Sequence, residues 1–140
     1  MAMVRAVATL DDVAAMALVL PEVTESTSRS NRTWLVRGAM FAWERPFSKA
    51  DVKRFGSDLV PEGEILGLRV DDLDDKEAAL AEGRAGFFTI PHFDGYAAVL
   101  VQLDVVQDDH LREAIVDAWL AKAPPALAKA YAGREGTASP

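Results

Sequence analysis

The chain has 140 residues and a formal net charge of −7, with half of its residues apolar and about a quarter charged, the profile of one globular domain with a single substantial core. It contains no cysteine, which excludes disulfides, thiolate metal centres and cysteine nucleophiles. No apolar run approaches the ~18 residues that span a bilayer, and residues 1–10 lack the apolar core of a secretion signal, so a cytoplasmic location without membrane contact is expected.

Thr9-Leu10-Asp11-Asp12 has the form of a capping box, and Leu10, Val13, Ala14, Ala17 and Leu20 follow at helical spacing until Pro21. This predicts a first amphipathic helix packed on a sheet. Glu22 to Asn31 is rich in Ser and Thr and reads as a polar loop. Thr33 to Arg45 reads as a β-hairpin with Gly38-Ala39 in a II′ turn. That register sets Trp34 opposite Trp43 and gathers Trp34, Val36, Phe41 and Trp43 on one face. Pro46 to Leu59 is a basic connector of irregular or short helical structure, and Glu64 to Val70 is a third strand.

Asp71 to Asp75 leads into a short helix over Lys76 to Glu82 that ends near Gly83. Phe87 to Ile90 and Tyr96 to Leu103 read as two strands around a turn at Asp94-Gly95, the second apolar on both faces. Asp108 is the expected cap of a long helix carrying Leu111, Ala114, Ile115, Ala118 and Trp119, which Pro124-Pro125 break. Ala126 to Tyr131 adds a turn or two. The single domain is then 1–131, and 132–140 is expected to be a disordered tail. The pattern predicts an α+β two-layer sandwich: a mainly antiparallel five-stranded sheet with the N- and C-terminal helices on one face, covering it through Leu10, Val13, Ala17, Ile115 and Trp119.

Leu18-Val19-Leu20-Pro21-Glu22-Val23-Thr24-Glu25, the Gly38-to-Trp43 hairpin, Phe88-Thr89-Ile90-Pro91-His92-Phe93 with Gly95-Tyr96, and Ala118-Trp119 with Ala123-Pro124 stand in an order and spacing that resembles the MmcQ/YjbR family over about residues 8 to 131. The resemblance implies a frataxin-like (CyaY-like) fold and a DNA-binding protein with a "double wing". It carries over no catalytic residue. Ala39 and Pro125-Ala126 stand where many members carry basic residues.

Charge is uneven. Arg29, Arg32, Arg37, Arg45, Lys49, Lys53 and Arg54 are opposed only by Glu44 and Asp51 within residues 28–54, a local +5 against −12 elsewhere. These seven are the candidate nucleic-acid contacts, since phosphates are met mainly by Arg and Lys. Trp34 and Trp43 would stack on bases if exposed; the alternative reading puts the tryptophans in the core and pairs the arginines with the acidic remainder. A second functional reading, from a different class, is an adaptor or small-ligand protein using the surface around Trp34, Trp43 and His92. His92 next to Asp94 offers an imidazole that a carboxylate can orient, but no nucleophile joins them, and catalysis is not expected. Asp71, Asp72, Asp74, Asp75 and Glu77 fail the EF-hand spacing because Leu73 and Lys76 occupy ligand places. Gly83, Gly86 and Gly95 form no phosphate loop. Neither a metal nor a cofactor is expected. The partner is DNA or, failing that, a protein or small ligand, with the chain a monomer or small homo-oligomer.

Overall fold

The computed structural model describes residues 7–138, with side chains through Tyr131. The expected domain's first six residues and the last two of its expected tail lie outside that range. The chain folds into an open, wholly antiparallel sheet of six strands in the order β1-β2-β3-β4-β6-β5. Helix α1 (Leu10–Leu18) begins as its sequence dictates. The Thr9 hydroxyl accepts from the Asp12 amide at 3.2 Å, and the Asp12 carboxylate accepts from the Thr9 amide at 2.9 Å. Its buried stripe is Leu10, Val13, Ala14 and Ala17.

The expected polar loop is instead an edge strand, β1 (Val23–Ser28), paired along its whole length with β2 (Asn31–Val36). This raises the strand count from five to six. Its residues are exposed apart from half-buried Val23, so no apolar alternation marks it; β-branched Val23, Thr24 and Thr27 are its local signal. The turn after β2 is Arg37-Gly38, with φ of 47° and 82°, rather than Gly38-Ala39. Two positive φ values make a I′ turn, with the glycine second. β3 (Ala39–Glu44) then pairs Val36 with Ala39 and Leu35 with Met40, but Trp34 with Ala42 and Thr33 with Trp43. Phe41 is the extra residue of a β-bulge. Turn and bulge together overturn the expected register: Trp34 and Trp43 lie on opposite faces of the sheet.

The first face is covered by α1 and α4 (Asp108–Lys122). Leu111, Ile115, Ala118 and Trp119 of α4 meet Trp34, Val36, Phe41 and the inward residues of β4 (Ile65–Arg69) and β6 (Ala98–Gln102) in one core with Leu10, Val13 and Ala17. The Trp119 indole N–H donates to the Pro21 carbonyl at 3.0 Å, tying α4 to the end of the α1 segment. Gln107, not Asp108, is the N-cap of α4; Asp108 and Asp109 fill its first turn, where they complement the helix dipole. Helix α3 (Leu73–Ala81) starts at its cap Asp72, earlier than the expected Lys76. α5 (Pro125–Ala138) is longer than the expected turn or two.

The second face has a smaller core of its own. Trp43, Ile65, Ile90, Phe93, Ala98 and Leu100 cluster there, flanked by Met40, Phe47, Phe55 and Phe88. It is roofed by α2 (Lys49–Arg54) and by a 3₁₀ turn over Pro91–Phe93, so the helices are not confined to one side. The expected strand at Phe87 shortens to β5 (Phe87–Phe88), because Pro91 lacks a backbone donor and turns the chain into that roof. Among the described residues no helix is long and apolar enough to cross a membrane.

Trp43 lies across β4 at Gly67, its register partner. A Cβ on Gly67 would stand 2.4 Å from the indole, which stacks on Phe93 at 6.3 Å and so has no room to retreat. Gly67→Ala should therefore cost about 1–3 kcal/mol, read as a lower urea midpoint. Combined with Trp43→Leu, its added cost should shrink, giving a non-additive cycle.

Candidate functional site

The candidate arginines do not form one patch. Arg29 sits in the β1–β2 turn and Arg37 in the β2–β3 turn, at opposite ends of β2, about 17–20 Å apart for a strand of that length. Arg32 and Arg45 leave the sheet on opposite faces. Arg32 bridges Asp11 of α1 at 2.8 Å and Glu25 of β1 at 2.7 Å, with its guanidinium 5.4 Å from the centroid of the Trp34 ring. Glu25 also accepts from the Trp34 indole at 3.0 Å, and these donors hold its carboxyl below the ordinary value, the Arg32 bond first. Arg37 is held by Glu22 through bonds of 2.7 and 3.0 Å. With Arg45 and, more loosely, Arg54 on Asp51, four of the seven candidate cations have carboxylate partners.

Arg45 meets Asp51 at 3.0 Å, and its guanidinium stands 5.6 Å from the Phe93 ring centroid. Asp51 is the hub of the second face. Its side chain is 1% exposed; it caps α2 by accepting from the Ser48 amide at 2.9 Å, while the Ser48 hydroxyl accepts from the Asp51 amide at 3.1 Å. Burial would raise the Asp51 carboxyl, yet the Ser48 and Arg45 hydrogen bonds outweigh it and hold it below the ordinary 3.8. Arg54 reaches Asp51 only at 3.8 Å and stays half-exposed. Among the described residues Arg29, Lys49 and Lys53 are exposed and make no ion pair. Lys49, Lys53 and Arg54 share the single short helix α2.

The expected Trp34–Trp43–His92 surface is divided. Trp34 is fully buried beneath the helices, and Trp43 is 9% exposed under the roof of the second face. His92 does lie on that roof, exposed, but no hydrogen bond joins it to Asp94. Beside it the turn Phe93-Asp94-Gly95-Tyr96 closes with the Tyr96 amide donating to the Phe93 carbonyl at 3.0 Å. Buried Lys76 locks this turn by donating to the Phe93 carbonyl at 2.5 Å and the Tyr96 carbonyl at 2.9 Å. Burial lowers the Lys76 ammonium's pKa, partly offset by Asp94. Tyr96 is 39% exposed, and the Arg69 guanidinium stands 4.6 Å from its ring centroid. An exposed imidazole, an exposed phenol and a cationic helix therefore adjoin on the second face.

The acidic segment around α3 does other work. Asp72 accepts from the Asp75 amide at 2.8 Å as the helix cap. Asp71, Asp75 and Glu82 then line a cavity between α3, α4 and the sheet, together with Asp117 of α4. Repulsion from Asp72 leads the causes that raise Asp75 above its ordinary value. Asp117 keeps contact with water, yet protein on its sides raises its carboxyl, and Glu113, Glu82 and Asp75 add to the shift while Arg84 offsets part of it. Among the described residues no three His, Asp or Glu side chains are grouped to hold a metal ion. Sequence reasoning missed Asp51, Lys76 and this cavity; of the three, only Asp51 had a local signal, the Ser48-x-x-Asp51 capping pattern.

An open antiparallel sheet with a large helical layer on one face and a small aromatic core on the other defines an α+β domain. The chain belongs to the YjbR family, whose profile matches residues 18–121. It is 42% identical over 132 residues to the proteins recorded as "Uncharacterized protein Rv2570" of Mycobacterium tuberculosis (strain ATCC 25618 / H37Rv) and "Uncharacterized protein Mb2600" of Mycobacterium bovis, an overlap of 92% of this chain and 99% of theirs. No solved structure matches the chain significantly.

Removing the hub tests the second face. Asp51→Ala leaves Arg45 without its partner and α2 without its capping side chain, a loss of about 3 kcal/mol at neutral pH. Because the folded carboxyl lies below 3.8, the stability it supplies is present above that pH and fades as pH falls through the folded value. The penalty, measured by urea unfolding, should therefore shrink as pH falls below about 3.8.

Proposed function

We propose that this YjbR-family chain is a recognition module for nucleic acid, with α2 and the adjoining Pro91–Tyr96 turn as its contact surface. The observation that carries the reading is charge segregation. Among the described residues Lys49 and Lys53 on α2 have no carboxylate partner and Arg54 is only loosely paired, while the acidic cavity lies on the other face of the sheet. Phosphates would be met by Lys49, Lys53, Arg54 and, at the same end of β2 as Arg45, Arg29. His92 and Tyr96 offer rings beside them for stacking on splayed bases, which favours single strands over duplex. Arg32, Arg37 and Arg45 stay with their carboxylates in this reading and act as structure. The net charge of −7 keeps affinity weak and strongly dependent on salt.

Fluorescence anisotropy of a labelled oligothymidylate across a salt series tests this. Four neutralised phosphates predict a log–log slope of about −3 on a single strand, against about −5 if all seven cations took part. Charge reversal at Lys49, Lys53 and Arg54 together should abolish binding. Undetectable binding at low salt, or binding unchanged by that reversal, would rule the reading out.

A further inference from the structure

The space between α3, α4 and the sheet is a half-open recess of about 420 Å³, within the range of small-molecule sites. Its lining joins two chemistries. Leu68, Val99 and Phe87 from the sheet and Ala79 and Ala114 from the helices supply apolar wall. Asp71, Asp75 and Asp117 supply carboxylates that no ion pair engages among the described residues. Two arginines also line it, and both are engaged: Arg84 meets Glu82 at 2.6 Å and Glu113 at 3.4 Å, with its guanidinium 5.7 Å from the centroid of the Phe87 ring, and the Arg69 guanidinium stands 4.6 Å from the centroid of the Tyr96 ring.

This combination selects among guests. An anion would enter against three carboxylates, and a neutral apolar guest would leave all three without a partner. A guest with an apolar body and one positive end satisfies both parts of the lining. Repulsion from Asp72 first raises Asp75, and partial burial followed by repulsion from Glu113 raises Asp117, so a positive group nearby would ease both. A bare metal ion suits the recess less well, because the carboxylates are not grouped as ligands around one point and much of the wall is apolar.

We propose that the α3–α4 recess is a binding site for a small organic cation, a protonated amine carried on an apolar body. The site is independent of the nucleic-acid reading, since it lies on the opposite face of the sheet.

Amide-resolved NMR titration with phenethylamine, beside phenethyl alcohol and hydrocinnamate, is the test. The amine should produce saturable shifts centred on Ala78, Ala79, Ala114 and Leu120, which the alcohol and the carboxylate should not reproduce. The double variant Asp75→Asn/Asp117→Asn should weaken binding about tenfold or more; removing repulsion, it should melt no lower than the parent. Ala114→Leu, which narrows the recess without changing its charge, should also block the amine. Equal response to the alcohol, shifts centred elsewhere, no saturable shift, or undiminished binding by the two variants would each overturn the proposal.

Discussion

The bulge at Phe41 is the constraint on which the rest of the structure depends. A regular hairpin from the Arg37-Gly38 turn would set Trp34 against Phe41; the extra residue instead sets Trp34 against Ala42 and Thr33 against Trp43. One tryptophan is thereby sent under the helices and the other to the opposite face. A sheet with an indole on each face cannot leave either side in water, because each ring carries some 150–250 Å² of surface that must be covered. The second core exists for that reason. Gly67 admits the Trp43 ring, Phe93 stacks on it, and α2 with the Pro91–Phe93 turn closes the roof.

That roof needs polar fastenings, and they decide where charge is free. Asp51 is buried at the start of α2 and draws Arg45 to itself; Lys76 reaches in from α3 to hold the carbonyls of Phe93 and Tyr96. At the outer edge, Arg32 and Arg37 stitch β2 to Asp11, Glu25 and Glu22. Exposed pairs of this kind contribute little stability, but they remove those arginines from the supply of free cations. What remains on α2 is positive, and what remains between α3 and α4 is negative. The two candidate contact regions thus follow from one pattern of pairing.

The helices that cover the first face were legible because their periodicity is local: the Thr9 box and the Leu111-to-Trp119 stripe read correctly, differing only in the cap of α4. β1 was not legible, since an edge strand exposed on nearly every side chain carries no alternation, and it forms through pairing with β2. The hairpin register failed by one turn position and one bulge, neither written in a glycine-bearing dipeptide that also fits a II′ turn. The candidate arginines were found as residues but not as a site. Their partners Asp11, Glu22, Glu25 and Asp51 come from other elements, and only folding decides which carboxylate each meets. The recess escaped notice for the same reason: its walls come from β4, α3, β5, β6 and α4.

The most direct test of the account is where an oligonucleotide touches the chain. Amide chemical-shift mapping with a short oligothymidylate at low salt should perturb Lys49 to Arg54 together with His92 and Tyr96, leaving the Arg37-Gly38 turn and the α3–α4 recess unmoved. Perturbation centred on the Arg37-Gly38 turn, or none on α2, would contradict the placement of free charge on which the account rests.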